Sequence, residues 1–462
     1  MAPRLRLLDI ACFERLMPFT HAFRFGAVSV TAAPQAFVRV VVEVEGHGIA
    51  TGAAAEMMMP KWFDKNPAKN PAGTIDDLRA GLTRSAAVYL DARGFDTAFG
   101  HHARSLGETA RDEAPALVRG YGPAVIDKAI LDALFKALGV DVATGLGRNL
   151  PGLDTRLTPD IEAGRIDDFL ASLAPRADVA LRWTVGLGDD LAALPGEIAR
   201  SSLRYLKLKL GGDIGQDRAR LAEIAAIVAR AGTVTGVTLD ANEQYDLPGL
   251  AALTEALRSD TALAPLRERL MYIEQPLDRA TTLAHDLGDV AADMAFIIDE
   301  ADGTYDAFPE AMARGYRGVS SKACKGLYKS LLNAVRARAL NEAAGRPGHH
   351  FLSGEDLTCQ AGLGVQQDTA LVALLGLGHV ERNGHHYVDG FGPAPAEEAE
   401  AFAAAHPDLY EERDGRLRLA TGSGVLATRS LFRVPGLAGG AEPIWGSLAR
   451  LTSQSILEGQ TS

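Results

Sequence analysis

Three acidic residues end successive apolar runs in the second half of this chain of 462 residues. Asp240 follows VTL, Glu274 follows MYI, and Asp299, with Glu300 beside it, follows FII. The strands of a parallel barrel open their carboxyl ends on one face, so three such acids would converge there. Carboxylate oxygens favour Mg²⁺, for which Mn²⁺ could substitute, and Mg²⁺ leaves coordination positions open for substrate and water. A single acid of this kind could cap a strand or lie in a solvated turn, but three in succession favour a metal site.

Two lysines alternate with leucines in the segment YLKLKLG. A strand would place Lys207 and Lys209 on one face and the leucines on the other. The segment could be a half-exposed strand with a polar outer face, whereas in a barrel both lysines would point inward. Burial and a neighbouring positive charge lower the pKa of a lysine toward the range of a general base. Lys207 could supply that charge for Lys209.

A third lysine, Lys322, closes the strand candidate GVSSKA, which would lie across the barrel from YLKLKLG. Lys325, three residues later, better fits a surface lysine. Two lysines on opposite sides of a metal suit the removal of a proton beside a carboxylate, because the metal stabilises the resulting enediolate and each lysine serves either face. His349 and His350 are alternative bases, but they lie near the start of the seventh strand candidate.

An alternation of strands and helices would bring these residues together. From about residue 179, short apolar segments alternate with amphipathic helical stretches, which is typical of a parallel sheet built from βα units. Eight strand candidates favour a closed barrel over an open doubly wound sheet, and no GxGxxG opens the first unit. The candidates are VALRWTV, YLKLKLG, GVTLDANE, LMYIEQP, AFIIDEA, GVSSKA, HHFLSGED and LGHVE.

The first 150 residues or so have a different pattern, that of an α+β unit. Residues 37–56, FVRVVVEVEGHGIATGAAAE, predict a hairpin that turns at EGHG. Apolar residues between Ile126 and Leu138 recur with the period of a helix. The segments MPFTHAFRFGAV and AAAEMMMPKWFDK are expected as loops over the mouth of the barrel.

Composition excludes several classes of function. A formal charge of -12 argues against a nucleic-acid surface, which needs clustered lysine and arginine. The three cysteines are scattered and lack a CxxC pair, which argues against a disulfide framework or a zinc site and fits a reducing cytoplasm. The N-terminus has no long apolar signal region and no eighteen uncharged apolar residues run together, so we expect neither export nor a membrane span.

Several motifs together resemble the enolase superfamily, in its branch of mandelate racemase and muconate lactonizing enzyme. KLKLG resembles the KxK motif of the muconate lactonizing subgroup, and SSKACKG resembles the motif of the opposing lysine. LDANE, YIEQP and IIDE resemble the three metal-ligand strands, in the same order. The resemblance extends to GPAVIDKAILDALFKALG, EGHGIATGAAAE and LTCQAGLG, so it covers most of the chain. Sites of this superfamily combine a lysine or histidine base with Mg²⁺.

The resemblance implies an α/β fold, a modified TIM barrel of the (β/α)7β kind with an N-terminal α+β capping domain. The domains would cover residues 1–155 (capping domain), 156–390 (barrel) and 391–462 (a C-terminal segment that packs back on the capping domain). The implied Mg²⁺ ligands are Asp240, Glu274 and Asp299. The implied catalytic residues are Lys209 and Lys322 as bases, with Lys207 as an auxiliary cation. Asn242 and Glu300 would lie behind the ligands, although Glu300 could replace Asp299 as the third ligand.

Substrate contacts in this family come from capping-domain loops and from the seventh strand region. The candidates here are His21, Arg24, Trp62, Glu355 and Gln360, the last standing where the family often has a glutamate. They leave open an amino-acid derivative, a dipeptide, an aromatic acid or a hydroxy acid. We therefore expect a small carboxylate as substrate, a homo-oligomer, and no nucleic-acid or membrane partner.

The leading hypothesis is an isomerase, either a racemase, an epimerase or a cycloisomerase, that abstracts an α-proton with Mg²⁺. The first alternative is a lyase, a dehydratase that expels a β-hydroxyl from the same enediolate with acid help from Lys322. An alternative of another class is a non-catalytic barrel that binds a ligand. A metal-dependent hydrolase would carry HxH near the first barrel strand, and VALRWTV has no histidine.

Overall fold

The computed structural model describes residues 2–25, 28–110 and 112–451, without the side chains of residues 24, 25 and 28. Its N-terminal part is an antiparallel sheet with helices packed on one face. The strands are β1 (Leu5–Phe25), β2 (Val28–Val44) and β3 (Gly48–Met57). The helices are α1 (Pro71–Asp91), α2 (Ala98–Thr109), α3 (Ala116–Ala137), α4 (Val142–Gly147) and α5 (Ala163–Ala171).

The predicted hairpin is present, because β2 pairs with β3 from Gln35 opposite Met57 to Val44 opposite Gly48. The prediction of loops on either side of it was partly wrong. MPFTHAFRFGAV lies mostly in β1, which pairs with β2 across a register shift between Pro18 and Phe23. Proline and the bulged residues interrupt the alternation by which a strand is recognised in a sequence.

Helix α3 packs on this sheet at very close range. Gly52 of β3 makes this possible, since a Cβ at that position would stand 2.1 Å from the carbonyl oxygen of Ala129 and 2.4 Å from the backbone nitrogen of Ala133. The helix is therefore buried on nearly every side, and its central residues form part of the core. The helical period read in the sequence from Ile126 onward lies within it.

The second part of the chain is a closed barrel of eight parallel strands, which confirms the predicted fold class. The strands follow one another around the barrel in chain order, and the last pairs with the first through Val380 and Leu181. All eight strand candidates are present. They are β4 (Asp178–Val185), β5 (Tyr205–Lys209), β6 (Gly236–Asp240), β7 (Leu270–Glu274), β8 (Phe296–Ile298), β9 (Gly318–Ser321), β10 (Phe351–Gly354) and β11 (His379–Glu381).

Helices between the strands form the outside of the barrel. One example is α7, which begins where the Asp213 side chain accepts a hydrogen bond from the backbone nitrogen of Gln216 and ends at Gly232, which has φ 70°. In the described residues no helix is both long and apolar enough to cross a membrane. The helices are α6 (Leu194–Arg200), α7 (Ile214–Ala231), α8 (Leu247–Ser259), α9 (Ala264–Arg267), α10 (Arg279–Thr282), α11 (Ala307–Ala313), α12 (Leu327–Ala344) and α13 (Leu363–Leu374). The short helix α14 (Gly384–Tyr387) follows the last strand and contacts β1.

The C-terminal part touches both the sheet and the barrel. Its elements are α15 (Ala396–Ala405), β12 (Tyr410–Arg413), β13 (Arg416–Leu419), β14 (Val425–Ala427) and β15 (Ala449–Arg450). Strand β15 extends the N-terminal sheet beside β1, and β14 pairs with the start of β4 in the barrel. A buried ion pair between Arg15 and Glu398, at 2.7 Å, joins α15 to β1.

Candidate active site

Charged side chains converge at the carboxyl ends of the barrel strands. Lys207 and Lys209 lie on β5, and Lys322 directly follows β9. Since β5 and β9 are separated by three strands in either direction around the eight-stranded barrel, the lysines approach from opposite walls. Asp240 and Glu274 end β6 and β7, and Asp299 follows β8, so the three acids lie on the wall between the lysines. All three acids are buried.

Lys207 is bound by four carboxylates at once. Its Nζ lies 2.9 Å from Asp240 Oδ2, 2.9 Å from Glu274 Oε2, 2.8 Å from Glu355 Oε2 and 2.9 Å from Glu381 Oε2. Burial disfavours the charged amine, but the four acids outweigh it and raise the pKa of Lys207 well above its usual value. In this arrangement the four carboxylates balance the positive charge of Lys207. Lys207 therefore does not act on Lys209 as an uncompensated cation.

Lys209 and Lys322 each contact a different acid of the cluster. Lys209 Nζ lies 2.6 Å from Asp240 Oδ2 and 2.8 Å from Asn242 Oδ1. Lys322 Nζ lies 2.6 Å from Asp299 Oδ2 and 4.6 Å from the centre of the Trp62 ring. Although burial lowers the pKa of Lys322, the charge of Asp299 outweighs it and raises that pKa above its usual value.

Lys325 is not the surface lysine that its sequence position suggested. It is 7% exposed, and its Nζ lies 2.7 Å from Ser320 Oγ and 3.3 Å from Asp299 Oδ1. The turn after β9 directs it back under the strand end, so it helps to hold Asp299 from behind. A position three residues after a strand does not reveal such a turn.

Glu300 lies beside this cluster rather than within its lysine contacts. Its Oε1 accepts a hydrogen bond of 3.2 Å from Asn242, while its Oε2 is buried without a hydrogen-bond partner. Burial, reinforced by the negative charge of Asp299, raises the pKa of Glu300 to about 7. Burial and Asp240 likewise raise the pKa of Glu274 well above its usual value. Negative charge at this end of the barrel is therefore incompletely compensated by the lysines.

The residues predicted to contact substrate are scattered around this centre. Trp62 lines the cavity between the lysines, together with Phe23 and Met59 from the N-terminal part. Glu355 lies beneath it, paired with Lys207 and Arg182. His21 is exposed, with its ring 4.9 Å from that of Tyr387.

Two further candidates lie elsewhere. Gln360 faces a neighbouring cavity and donates to the carbonyl of Thr358 at 2.5 Å. The side chain of Arg24 lies outside the described part of the chain. The alternative bases His349 and His350 precede β10 and therefore lie at the amino end of the barrel, away from the lysines.

Sequence reasoning missed Glu381 and Asn383, which line the same cavity as the lysines. Glu381 ends β11 and accepts a hydrogen bond of 2.7 Å from Thr184, besides its contact with Lys207. The signal was present, because LGHVE also ends in a carboxylate after an apolar residue. It was weak because the strand has only three residues.

A salt-bridge network fastens the segment that carries Trp62 to the barrel. Glu243, after β6, is bound by Arg279 at 2.8 Å and by Lys65 at 2.5 Å. Arg279 also donates to the backbone carbonyl of Trp62 at 2.9 Å. The N-terminal part thus closes over the barrel mouth, and the cavity between the lysines has a volume of only about 30 Å³.

Comparisons with known proteins agree on one architecture. No family model and no curated protein matches the chain. Among solved structures, the muconate lactonizing enzyme from Klebsiella pneumoniae is 18% identical, with a TM-score of 0.62 over 96% of this chain and 98% of that one. The L-Ala-D/L-Glu epimerase from Bacillus subtilis is 15% identical, with a TM-score of 0.58 over 94% and 98%. A member of the enolase superfamily from Roseovarius nubinhibens, complexed with magnesium, is 19% identical, with a TM-score of 0.59 over 97% and 99%.

The chain has the enolase-superfamily fold. Because the shared identity is low, these structures establish the architecture alone. Within it, the motifs that suggested the resemblance occupy the ends of the second to sixth barrel strands, β5 to β9.

The donor set at the strand ends of this barrel fits a divalent cation in its chemistry. Asp240, Glu274 and Asp299 offer only oxygen, and the raised pKa values of Glu274 and Glu300 mark negative charge that a cation would neutralise. As placed, however, no three His, Cys, Asp or Glu side chains of the described residues stand close enough to hold a metal ion. Ammonium groups take that role here, since Lys207 bridges Asp240 and Glu274 while Lys322 holds Asp299.

Proposed function

We propose that this protein is an enzyme of the enolase superfamily that removes and returns the proton beside a substrate carboxylate. The observation that carries the proposal is the pair Lys209 and Lys322, which reach one closed cavity from opposite walls. A proton bound to carbon can be taken from one face and returned on the other only if a group stands on each side. Racemisation, epimerisation or cycloisomerisation follows from which face and which atom receives the proton.

The two lysines must differ in protonation during such a reaction. A lysine accepts a proton only as the free amine, whereas the opposite lysine must be an ammonium group to donate one. Each lysine has an acid beside it, since Lys322 lies 2.6 Å from Asp299 and Lys209 lies 2.6 Å from Asp240. Asn242 also accepts a hydrogen bond from Lys209. When bound by Asp240, Glu274 and Asp299, Mg²⁺ would supply a Lewis acid for the negative charge that develops on the substrate carboxylate.

The cavity must open to admit a substrate. Its volume of about 30 Å³ holds roughly one water molecule, which is too small for a carboxylic acid. We propose that the segment of Met59 and Trp62 moves away from the barrel mouth to admit substrate and returns to exclude water. The similar structures include a muconate lactonizing enzyme and an epimerase, which supports both the cycloisomerase and the epimerase forms of the proposal.

The test is proton exchange with solvent. The protein is incubated in D₂O with Mg²⁺ and a library of single enantiomers of carboxylic acids, and α-deuterium is measured by mass spectrometry. We expect Lys209→Ala and Lys322→Ala each to abolish exchange with a different enantiomer, because each lysine serves one face. Lys69→Ala, a change on the surface of the N-terminal part, should leave both exchange rates unchanged.

Other outcomes would change the proposed reaction or exclude it. Loss of the mass of water would identify a dehydratase, in which Lys322 protonates the departing hydroxyl. Binding of an acid without exchange would favour a non-catalytic binding protein. If neither exchange nor water loss occurred with a broad library, and Mg²⁺ did not bind, the proposed reaction would have to be abandoned.

A further inference from the structure

A second cavity, separate from the one between the lysines, lies at the seam between the N-terminal part and the barrel. Its volume is about 170 Å³. Helices α2 and α3 form one side, and the loops that follow β8 and β9 form the other together with the first turn of α12. Ala110, one of the residues that line it, is exposed.

The helix side of this cavity has an apolar patch beside the polar residues His102, Thr109 and Arg119. Leu106, Ala116, Pro123 and Ala124 line it, and Pro123 lies inside α3, where it has no N–H to donate. An engineered cavity of roughly 150 Å³ with apolar walls is large enough to bind benzene. The space therefore suits one small ring or branched aliphatic group.

The other side of the cavity is positively charged. Lys325 and Lys329 both line it, and their Nζ atoms lie 3.0 Å and 3.2 Å from the same oxygen of Asp302. Arg119, on α3, adds a positive charge from the helix side, and its guanidinium donates to the backbone carbonyls of Asp112 and Ala114, both at 2.9 Å. In the described part of the chain no carboxylate lies within ion-pair distance of Arg119.

Two ammonium groups share one carboxylate oxygen at the edge of this cavity. Asp302 forms an ion pair with both Lys325 and Lys329. Lys325 has a second partner, Asp299, at 3.3 Å. Among the ion pairs of the described residues, Lys329 has only Asp302. Burial lowers the pKa of Lys329, and the nearby positive charge of Lys325 adds to this effect although Asp302 opposes it. A buried cation that shares its only acid gains most from a further negative group.

We infer that this cavity is a binding site for a small monocarboxylate with an apolar body about the size of a benzene ring. The carboxylate would face Lys329 and Arg119, and the apolar body would lie against Leu106 and Ala124. No residue of this site belongs to the proposed acid/base pair, so the inference does not depend on the proposed reaction.

Benzoate is a suitable probe, with benzamide as its neutral match and inorganic phosphate as an anion without an apolar body. Titration calorimetry on the full chain should show that benzoate binds at least about tenfold more tightly than benzamide or phosphate. Because benzoate could also enter the cavity between the lysines, crystals soaked with 4-iodobenzoate would locate the iodine by its anomalous signal. We expect a peak between α3 and the loop after β9.

Two variants separate this site from a general effect on folding. Ala124→Leu fills the apolar side without removing a charge, and Lys329→Met removes one cation without filling the space. Each should weaken benzoate binding at least about tenfold. Arg104→Gln, on the exposed face of α2, serves as the matched control and should bind as the wild type does.

Four outcomes would overturn the inference. They are no binding of benzoate, equal binding of benzamide or phosphate, an iodine peak found only between Lys209 and Lys322, and unchanged affinity in a correctly folded Ala124→Leu protein. Circular dichroism on each variant establishes that it is folded before its affinity is compared.

Discussion

The ammonium group of Lys322 lies 4.6 Å from the centre of the Trp62 ring, so a residue of the N-terminal part covers a lysine of the barrel. The contact holds the charged form of Lys322 against an aromatic face, and it excludes water from one side of the cavity. The proposed chemistry therefore depends on how the two parts of the chain meet.

Replacing Trp62 should slow proton exchange on the substrate face served by Lys322 more than exchange on the face served by Lys209. In Trp62→Leu the cation–π contact is lost, which is worth about 1–2 kcal/mol for a buried pair, so we expect exchange through Lys322 to fall about tenfold. Trp62→Phe keeps an aromatic face and should retain most of the rate. Trp445→Leu, at a half-buried tryptophan beside Phe13, is the control. An equal fall for both enantiomers would show that Trp62 acts on the site as a whole.

Removing the charge of Lys207 should destabilise the fold. Lys207→Met leaves Asp240, Glu274, Glu355 and Glu381 buried without their shared ammonium group, and we expect the free energy of unfolding to fall by about 3–5 kcal/mol. The loss should be smaller at about pH 5 than at about pH 8, because protonation neutralises buried carboxylates. Urea unfolding at both pH values tests this. A decrease in the free energy of unfolding of less than about 1 kcal/mol would mean that other groups compensate the charge of these acids.

The network around Glu243 should stabilise the protein only above the titration range of that acid. Burial raises the pKa of Glu243, but Arg279 and Lys65 outweigh it and lower the pKa below its usual value. A group with a lowered folded-state pKa contributes stability that is present above its unfolded-state pKa and lost as the pH falls through the folded-state value. Glu243→Gln should therefore cost about 2 kcal/mol at about pH 7, and the difference should shrink below about pH 4. A difference that does not change with pH would contradict this account.

Added Mg²⁺ should stabilise the protein through the acids at the strand ends. A ligand that binds only the folded chain at a hundredfold excess over its Kd adds about 2.7 kcal/mol, which raises the thermal midpoint. Asp240→Asn and Glu274→Gln should abolish that rise, and Glu268→Gln, on an exposed side chain, should keep it. If the thermal midpoint is the same with Mg²⁺ and with EDTA, these carboxylates remain paired with the lysines and do not bind the metal.

Much of the fold and the centre of the site could be predicted from the sequence. The eight barrel strands were recognised because each is an apolar run between turn signals, and Asp240, Glu274 and Asp299 were recognised because they end such runs. The long strand β1 was not recognised, since Pro18 and the register shift after it disturb the alternation of apolar and polar residues.

The sequence by itself determined which residues lie at the carboxyl ends of the strands, because strand period and strand direction are local properties. Only the tertiary structure decided their partners. Lys207 is 174 residues away from Glu381, yet their side chains are 2.9 Å apart because β11 closes the barrel onto β4, the neighbour of β5. Burial of Lys325, the contact of Trp62 with Lys322 and the charged cavity at the seam have the same origin. Each depends on distances between segments that no local pattern encodes.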